Sequence, residues 1–338
     1  MLSRPASSDP RPRALGFWLL VVAALVFAIV IVGGITRLTE SGLSITQWKP
    51  IRGIIPPLTD AQWREEFAGY KAIPQYRAFN TGMTLDGFRH IYFWEYLHRL
   101  LARAIGTVLG LVLLVFWWRR AIPEGHGSRV LAILALGALQ GVIGWWMVAS
   151  GLEYRTEVSH IRLAVHLLAA MLIYAFLIWT ALDLLQGKAR RPRALALAAL
   201  AALFLQLALG ALTAGLRAGY AFASWPKMGD EWFPAGGWTT SQGLIANLSS
   251  NPIVVQFVHR WWAWAVALLA LALAARTRPH ASGPALAVTV ALVAQIALGI
   301  ATLLSGVMLP IAVAHQAVAA LLLGAIVWSG HAAAPPLR

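Results

Sequence analysis

Residues 281–337 read ASGPALAVTVALVAQIALGIATLLSGVMLPIAVAHQAVAALLLGAIVWSGHAAAPPL and contain no Asp, Glu, Lys or Arg in 57 positions. A helix that crosses a membrane needs about 20 consecutive, mostly apolar residues. The stretch is therefore too long for one such helix and too short for three. Small residues and a proline at 305–310 interrupt it, which predicts two transmembrane helices, near 284–306 and 311–330.

The rest of the chain carries the same signal. Four further stretches, 14–36, 130–152, 163–182 and 194–216, are free of charged residues. Two more apolar runs contain a few embedded charges. The sequence therefore predicts eight transmembrane helices, near 15–36, 90–118, 129–150, 160–184, 194–216, 253–275, 284–306 and 311–330.

The composition agrees with an all-α polytopic membrane protein. The chain has 338 residues, of which 59% are hydrophobic and only 12% are charged. An ordinary soluble domain carries about 25% charged residues, so this chain lacks the polar surface of a soluble enzyme or a disordered protein. Cysteine is absent, which excludes disulfide scaffolds, thiolate metal sites and cysteine nucleophiles.

The net charge of +14 is concentrated in alternate short connections, which argues for a membrane orientation and not for nucleic-acid binding. These connections hold 13 Lys and Arg residues, whereas the longer, Trp-rich connections on the other side hold nine. The positive-inside rule then places both termini in the cytoplasm, and a bacterial inner membrane fits best. We expect the first apolar run to be a retained helix, because it lacks a small-residue cleavage site. The positive segments are the tail 1–14, the loop 119–129, the linker 187–193, the loop 276–283 and the tail 331–338.

The two halves of the chain repeat each other. Positions 33, 36, 42 and 48 carry Gly, Thr, Gly and Trp, and the same residues recur 177 positions later. Gln140 and Gly144 recur at an offset of 155. We therefore predict two four-helix bundles, 15–186 and 194–330, in the same orientation and related by a pseudo-two-fold axis along the membrane normal.

Four of the nine histidines lie inside predicted helices, at matching positions of the two halves: His98, His166, His259 and His315. Each comes roughly six to nine residues into its helix, so all four share one layer ~9–13 Å below the outer edge. Two facing imidazoles suit the axial positions of a haem iron, whereas zinc would need further ligands. We predict two bis-histidine haem sites, paired within each half; pairing across halves and simple hydrogen bonding between helices stay open.

One position distinguishes the two predicted sites. Glu95 lies three residues before His98, on the same helix face, whereas the corresponding residue before His259 is the neutral Gln256. A carboxylate beside one haem can stabilise positive charge or take a proton. The alternative is an ordinary ion pair between Glu95 and Arg99, four residues on.

Several arginines lie near the same layer and are candidates to bind haem propionates. Snorkelling of their side chains to the lipid headgroups is the alternative. The long outer loops, 37–88 and 217–252, could cover the layer or simply lie at the interface, and a short amphipathic helix is predicted after Thr59. The candidate arginines are Arg37, Arg99, Arg103, Arg162, Arg217 and Arg260.

These residues together resemble the haem A synthase family, whose members oxidise haem O during cytochrome oxidase assembly. The resemblance covers about 15–330. The Glu-x-x-His unit with three further helix histidines is specific, whereas the glycines alone are not. The matching motifs are GGITRLTESG at 33–42, EYLHR at 95–99, QGVIGW at 140–145, FVHR at 257–260, and His166 and His315 with their following residues.

The resemblance implies that His98 and His166 bind the iron of the substrate haem O, and that His259 and His315 bind the iron of a resident haem b. It implies that Glu95 is the catalytic carboxylate in the conversion of a haem methyl group to a formyl group by successive hydroxylations. A transient partnership with haem O synthase is also implied, and homo-oligomerisation stays open. Many family members carry cysteine pairs in the outer loops, which this chain lacks. The alternatives are a diheme b-type electron carrier and a non-enzymatic transporter.

Overall fold

The computed structural model describes residues 11–49, 51–187 and 189–335. Eleven α-helices lie within these residues, and eight of them are long and apolar enough to cross a membrane. The eight are α1, α4, α5, α6, α7, α9, α10 and α11 of the following series. The helices are α1 (Pro12–Leu38), α2 (Asp60–Lys71), α3 (Pro74–Phe79), α4 (Leu85–Trp118), α5 (Gly127–Leu152), α6 (His160–Gln186), α7 (Ala194–Gly215), α8 (Leu244–Ser250), α9 (Pro252–Thr277), α10 (Ser282–Leu304) and α11 (Leu309–Ala332).

The eight predicted transmembrane helices are confirmed, with small shifts of their ends. Helix α4 begins at Leu85, not near residue 90, because the Thr84 side chain accepts a hydrogen bond from the backbone N–H of Gly87 and caps an additional turn. Helices α10 and α11 are separated at residues 305–308, where the small residues predicted a break. Most of the two predicted tails, residues 1–10 and 336–338, lies outside the described residues.

The long loops on one side of the helices contain the short helices. Helix α2 starts with the predicted capping box, in which Thr59 and Gln62 exchange side-chain and backbone hydrogen bonds. Helices α3 and α8 lack an apolar periodicity and were not expected from the sequence. The described residues contain no β-strand, and Met228 and Glu231 form an isolated bridge. We call this side of the molecule the loop-rich end.

The transmembrane helices pack in corresponding pairs in the two halves. Helix α1 packs against α4 and α6, and α5 against α6; likewise α7 packs against α9 and α11, and α10 against α11. The halves meet where α1 contacts α11 and α6 contacts α7. Fully buried apolar side chains such as Leu19, Leu177 and Leu323 fill this central region, so the interface between the halves is part of one apolar core.

An aromatic cluster covers the loop-rich end of the first half. The rings of Phe67 and Phe88 stack with centroids 4.9 Å apart, and the same cluster buries Leu43 and Ile45 of the loop after α1. Burial raises the pKa of the Tyr70 hydroxyl to about 12, so this ring stays neutral inside the cluster. The packing holds the loop after α1 against α4, next to Glu95.

A buried polar cluster ties the elements together at the opposite end. The Asp183 carboxylate of α6 is 1% exposed and accepts hydrogen bonds from His331 Nε2 at 2.9 Å and Arg129 Nη1 at 2.5 Å. The backbone N–H of Arg190 donates to the same carboxylate at 3.1 Å. His331, to which the sequence assigned no role, lies in the last turn of α11 and not in a tail as predicted. Its ring is fully buried and bonds to Asp183.

Candidate functional site

The four helix histidines lie at similar depth. His98, His166, His259 and His315 come 20, 20, 18 and 17 residues before the last residue of α4, α6, α9 and α11. At about 1.5 Å per residue, they are ~26–30 Å from the ends of their helices that lie away from the long loops. The hydrocarbon core of a bilayer is about 30 Å thick, so the four rings lie close to one membrane boundary.

Each of these histidines packs its ring on a glycine of a neighbouring helix. A Cβ atom at that glycine would lie only 2.9–3.1 Å from the Cε1 atom of the ring, closer than real Cβ atoms normally approach. The repeated glycines of the sequence therefore have a physical role that the sequence did not reveal: they provide the space for the imidazoles. The pairs are Gly33 with His98, Gly144 with His166, Gly210 with His259, and Gly299 with His315.

Glutamine side chains fix two of the rings further. The amide nitrogen of Gln140 lies 3.2 Å from Nδ1 of His166 and donates to its backbone carbonyl at 2.9 Å. Gln206 makes the same two contacts with His259, at 3.2 and 3.0 Å. Contacts at Nδ1 orient the ring and direct Nε2 towards a metal. Neither contact was predicted, although Gln206 stands four residues before its glycine, as Gln140 does.

His98 and His166 lie in α4 and α6 of the first half, and His259 and His315 lie in α9 and α11 of the second. All four side chains are partly exposed, with one ring edge against a glycine. The Nδ1 atoms of His98 and His315 are buried. Rings that are fixed at one edge and open on the other fit the axial ligands of a haem iron.

Glu95 is held from three directions next to His98. Its side chain is 3% exposed. Oε1 accepts a hydrogen bond from Arg99 Nη2 at 2.6 Å, and Oε2 accepts from Ser44 Oγ and from the backbone N–H of Ile45, both at 2.7 Å. The predicted ion pair with Arg99 is therefore present, but two donors from the loop after α1 accompany it.

Gln256, the counterpart of Glu95, is equally buried, but its side chain donates a hydrogen bond where that of Glu95 accepts them. It is 1% exposed, and its amide nitrogen donates to the backbone carbonyl of Phe222 at 3.2 Å. Phe222 stands 177 positions after Ile45, so the same loop position offers an N–H to Glu95 and a carbonyl to Gln256. The chemical difference between the two halves is thus built into both the helix and the loop.

Arg99 and Arg260 bind backbone carbonyls of the loops that follow α1 and α7. Both guanidinium groups donate to carbonyl oxygens at 2.8–3.2 Å, at loop positions that are 177 residues apart. Loop carbonyls near the membrane boundary need donors, and these two side chains supply them. Propionate binding and snorkelling stay predictions for both residues. The acceptors are Ile45 and Gln47 for Arg99, and Phe222 and Ser224 for Arg260.

The other candidate arginines are also engaged. Arg103 donates to the carbonyl of Gly53 at 3.0 Å, and Arg162 donates to that of Trp146 at 2.7 Å while its guanidinium lies over the Trp146 ring. Both therefore fasten backbone near the histidine layer.

Arg37 and Arg217 belong to an ionic cluster between the halves. Arg217 pairs with Glu40 at 2.6 Å and also with Glu157. Arg37 pairs with Glu157 at 2.8 Å. Glu40 and Arg217 are corresponding positions of the repeat, so their ion pair joins the two loops that follow α1 and α7.

Known proteins are similar to this chain over almost its whole length. A family described as cytochrome oxidase assembly protein matches residues 16–327. The haem A synthase of Rhizorhabdus wittichii is 65% identical over 338 residues, which cover 98% of this chain and 97% of that protein. The haem A synthase of Sphingopyxis alaskensis is 52% identical, over 94% of this chain and 92% of that protein. This chain belongs to the cytochrome oxidase assembly protein family.

Proposed function

We propose that this protein is a haem A synthase, which oxidises a methyl group of haem O to a formyl group. Relatives with that name share 65% and 52% of its residues over nearly the full chain. The observation that carries the proposal is the unequal pair Glu95 and Gln256 within an otherwise repeated frame of histidines, glycines and arginines. A protein that only conducts electrons does not need this difference.

We infer that the two four-helix halves are copies related by an axis along the membrane normal. Two kinds of contact recur at corresponding positions of the two halves: glycine against histidine, and arginine against loop carbonyls. An even number of transmembrane helices in each half gives both copies the same orientation. The two haem sites then lie at the same depth, with α1, α6, α7 and α11 between them.

In this proposal His98 and His166 hold the iron of the substrate haem O, and His259 and His315 hold a haem b. The repeat supports this pairing, because each half supplies two histidines from corresponding helices. A bound haem b would carry single electrons. The substrate belongs to the first half because only that half has a carboxylate next to its histidine.

Glu95 is the proposed catalytic residue. With three donors on its two oxygens, it is held as an ionised carboxylate that can only accept hydrogen bonds. A fixed negative charge stabilises the positive charge that develops at the substrate methyl carbon as it is oxidised. Each hydroxylation removes two electrons and one proton from this carbon, water adds to it and loses a proton, and the electrons leave to an electron acceptor outside the protein. Two hydroxylations give a geminal diol, which loses water to leave the formyl group.

The decisive experiment expresses the chain in cells that contain haem O and separates the extracted haems by chromatography. We expect haem A with the unaltered protein, and haem b without haem A for Glu95→Ala. Glu153→Ala, at an exposed glutamate of the loop-rich end, is the matched control and should still form haem A. Haem b alone from the unaltered protein, with no conversion of haem O, would identify a diheme electron carrier instead.

The haem b assignment has its own test. His259→Ala and His315→Ala should each remove the low-spin haem b spectrum of the purified protein, because either change takes away one axial ligand. An unchanged spectrum would contradict the division into a substrate half and a haem b half.

The protein crosses the membrane several times. We further propose that both termini face the cytoplasm of a bacterial inner membrane, because the basic connections lie on that side. A transient complex with haem O synthase would deliver the poorly soluble substrate directly.

A further inference from the structure

The loop after α1 contributes one side chain to the Glu95 site. The Ser44 hydroxyl donates to Glu95 Oε2 at 2.7 Å, and Ser44 is completely buried. The backbone N–H of Ile45 donates to the same oxygen.

The second half lacks this hydroxyl. The position 177 residues after Ser44 is Ala221, and Gln256 there bonds to a carbonyl and not to a donor. Arg99, by contrast, has its counterpart in Arg260, which binds the corresponding loop carbonyls. Of the two side chains that bond to Glu95, Arg99 is thus repeated in the second half and Ser44 is replaced.

We propose that Ser44 is the positioning residue of Glu95: its hydroxyl holds the carboxylate in one orientation beside His98. The inference rests on the proposed function, because Glu95 is the proposed catalytic group. Arg99 binds Oε1 and loop carbonyls at once, so it would hold a glutamate or a glutamine there. The Ser44 hydroxyl, with Ile45, fixes the second oxygen and with it the plane of the carboxylate.

The test compares Ser44→Ala with Ser41→Ala. Ser41 is an equally buried serine of the same loop, whose hydroxyl bonds to Thr39 and not to Glu95. A hydrogen bond to a charged group contributes enough that its loss should slow haem A formation roughly ten- to a hundredfold. Haem b content should stay unchanged. Ser44→Thr, which keeps the hydroxyl, should restore most of the rate.

An infrared spectrum provides a readout that does not depend on turnover. The band of the Glu95 carboxylate is identified by its loss in Glu95→Gln. It should shift in Ser44→Ala and stay in place in Ser41→Ala and Ser44→Thr. If Ser44→Ala fails to fold, Ser44→Cys replaces it in the test, because cysteine is similar in size to serine and its thiol is only a weak hydrogen-bond donor. Ser44→Cys should show the same shift of the carboxylate band and the same loss of rate.

A wild-type rate together with an unmoved band in Ser44→Ala or Ser44→Cys would overturn the proposal. The proposed function fails separately, if the unaltered protein forms no haem A. In that case the band still decides whether Ser44 holds Glu95.

Discussion

At the scale of single residues, a glycine leaves the space that each of the four imidazole rings occupies. We expect Gly210→Ala to reduce the haem b content of the purified protein strongly, because the added Cβ would lie 3.1 Å from Cε1 of His259 and displace the ring. The measurement is the bis-histidine absorbance per polypeptide. Gly106→Ala is the control, since nothing lies within 4 Å of a Cβ at Gly106 and alanine favours a helix. Equal haem content in both variants would contradict this role of Gly210.

The sequence predicted the positions of the histidines and of Glu95, but not most of their neighbours. The histidines stand out because ionisable residues are rare in apolar helices. Ser44 gives no such signal: it is a loop serine, and its counterpart Ala221 hides it from a search for repeats. The carbonyl partners of the arginines could not be predicted either, because the path of the loop that supplies carbonyls to Arg99 depends on tertiary packing.

At the scale of helices, the apolar stretches predicted the transmembrane helices well, but the ends of these helices less well. The break between α10 and α11 was predicted from the small residues at 305–308. The early start of α4 was not, since the additional turn is polar and is held by its cap and by the aromatic cluster around Phe88. Helix α8 is also held by contacts outside itself, such as the bond from the Asn247 amide to the carbonyl of Thr239.

The Asp183 cluster fastens α5, α6, α11 and the linker between the halves. Asp183→Asn should lower the free energy of unfolding by about 2 kcal/mol, because the fully buried side chain loses its charge-assisted hydrogen bonds to Arg129 and His331. Asp86→Asn is the control: Asp86 pairs with Arg89, but its side chain is 88% exposed, and such pairs contribute little. Thermal unfolding in detergent measures both. Similar midpoints for the two variants would show that the cluster does not stabilise the protein.

At the scale of the whole molecule, charged side chains connect the two halves at both ends of the apolar core. Arg217 reaches Glu40 and Glu157 at the loop-rich end, and Arg190 caps α11 at the other end by donating to the carbonyls of His331 and Ala332. The repeat could be predicted from the sequence offsets, but these contacts could not. Apart from Glu40 and Arg217, the residues in contact do not occupy corresponding positions of the two copies.

The orientation of the whole molecule decides on which side of the membrane the histidine layer lies. Because the chain has no cysteine, a single introduced thiol reports its own side. Ser241→Cys lies in the loop-rich end and Ser282→Cys at the start of α10, and both positions are exposed. The basic residues Arg276 and Arg278 beside Ser282 predict that this position is cytoplasmic. A membrane-impermeant maleimide added to spheroplasts should therefore label Ser241→Cys at once and Ser282→Cys only after permeabilisation. The reverse pattern would place the four imidazoles, and the proposed oxidation, at the cytoplasmic boundary of the membrane.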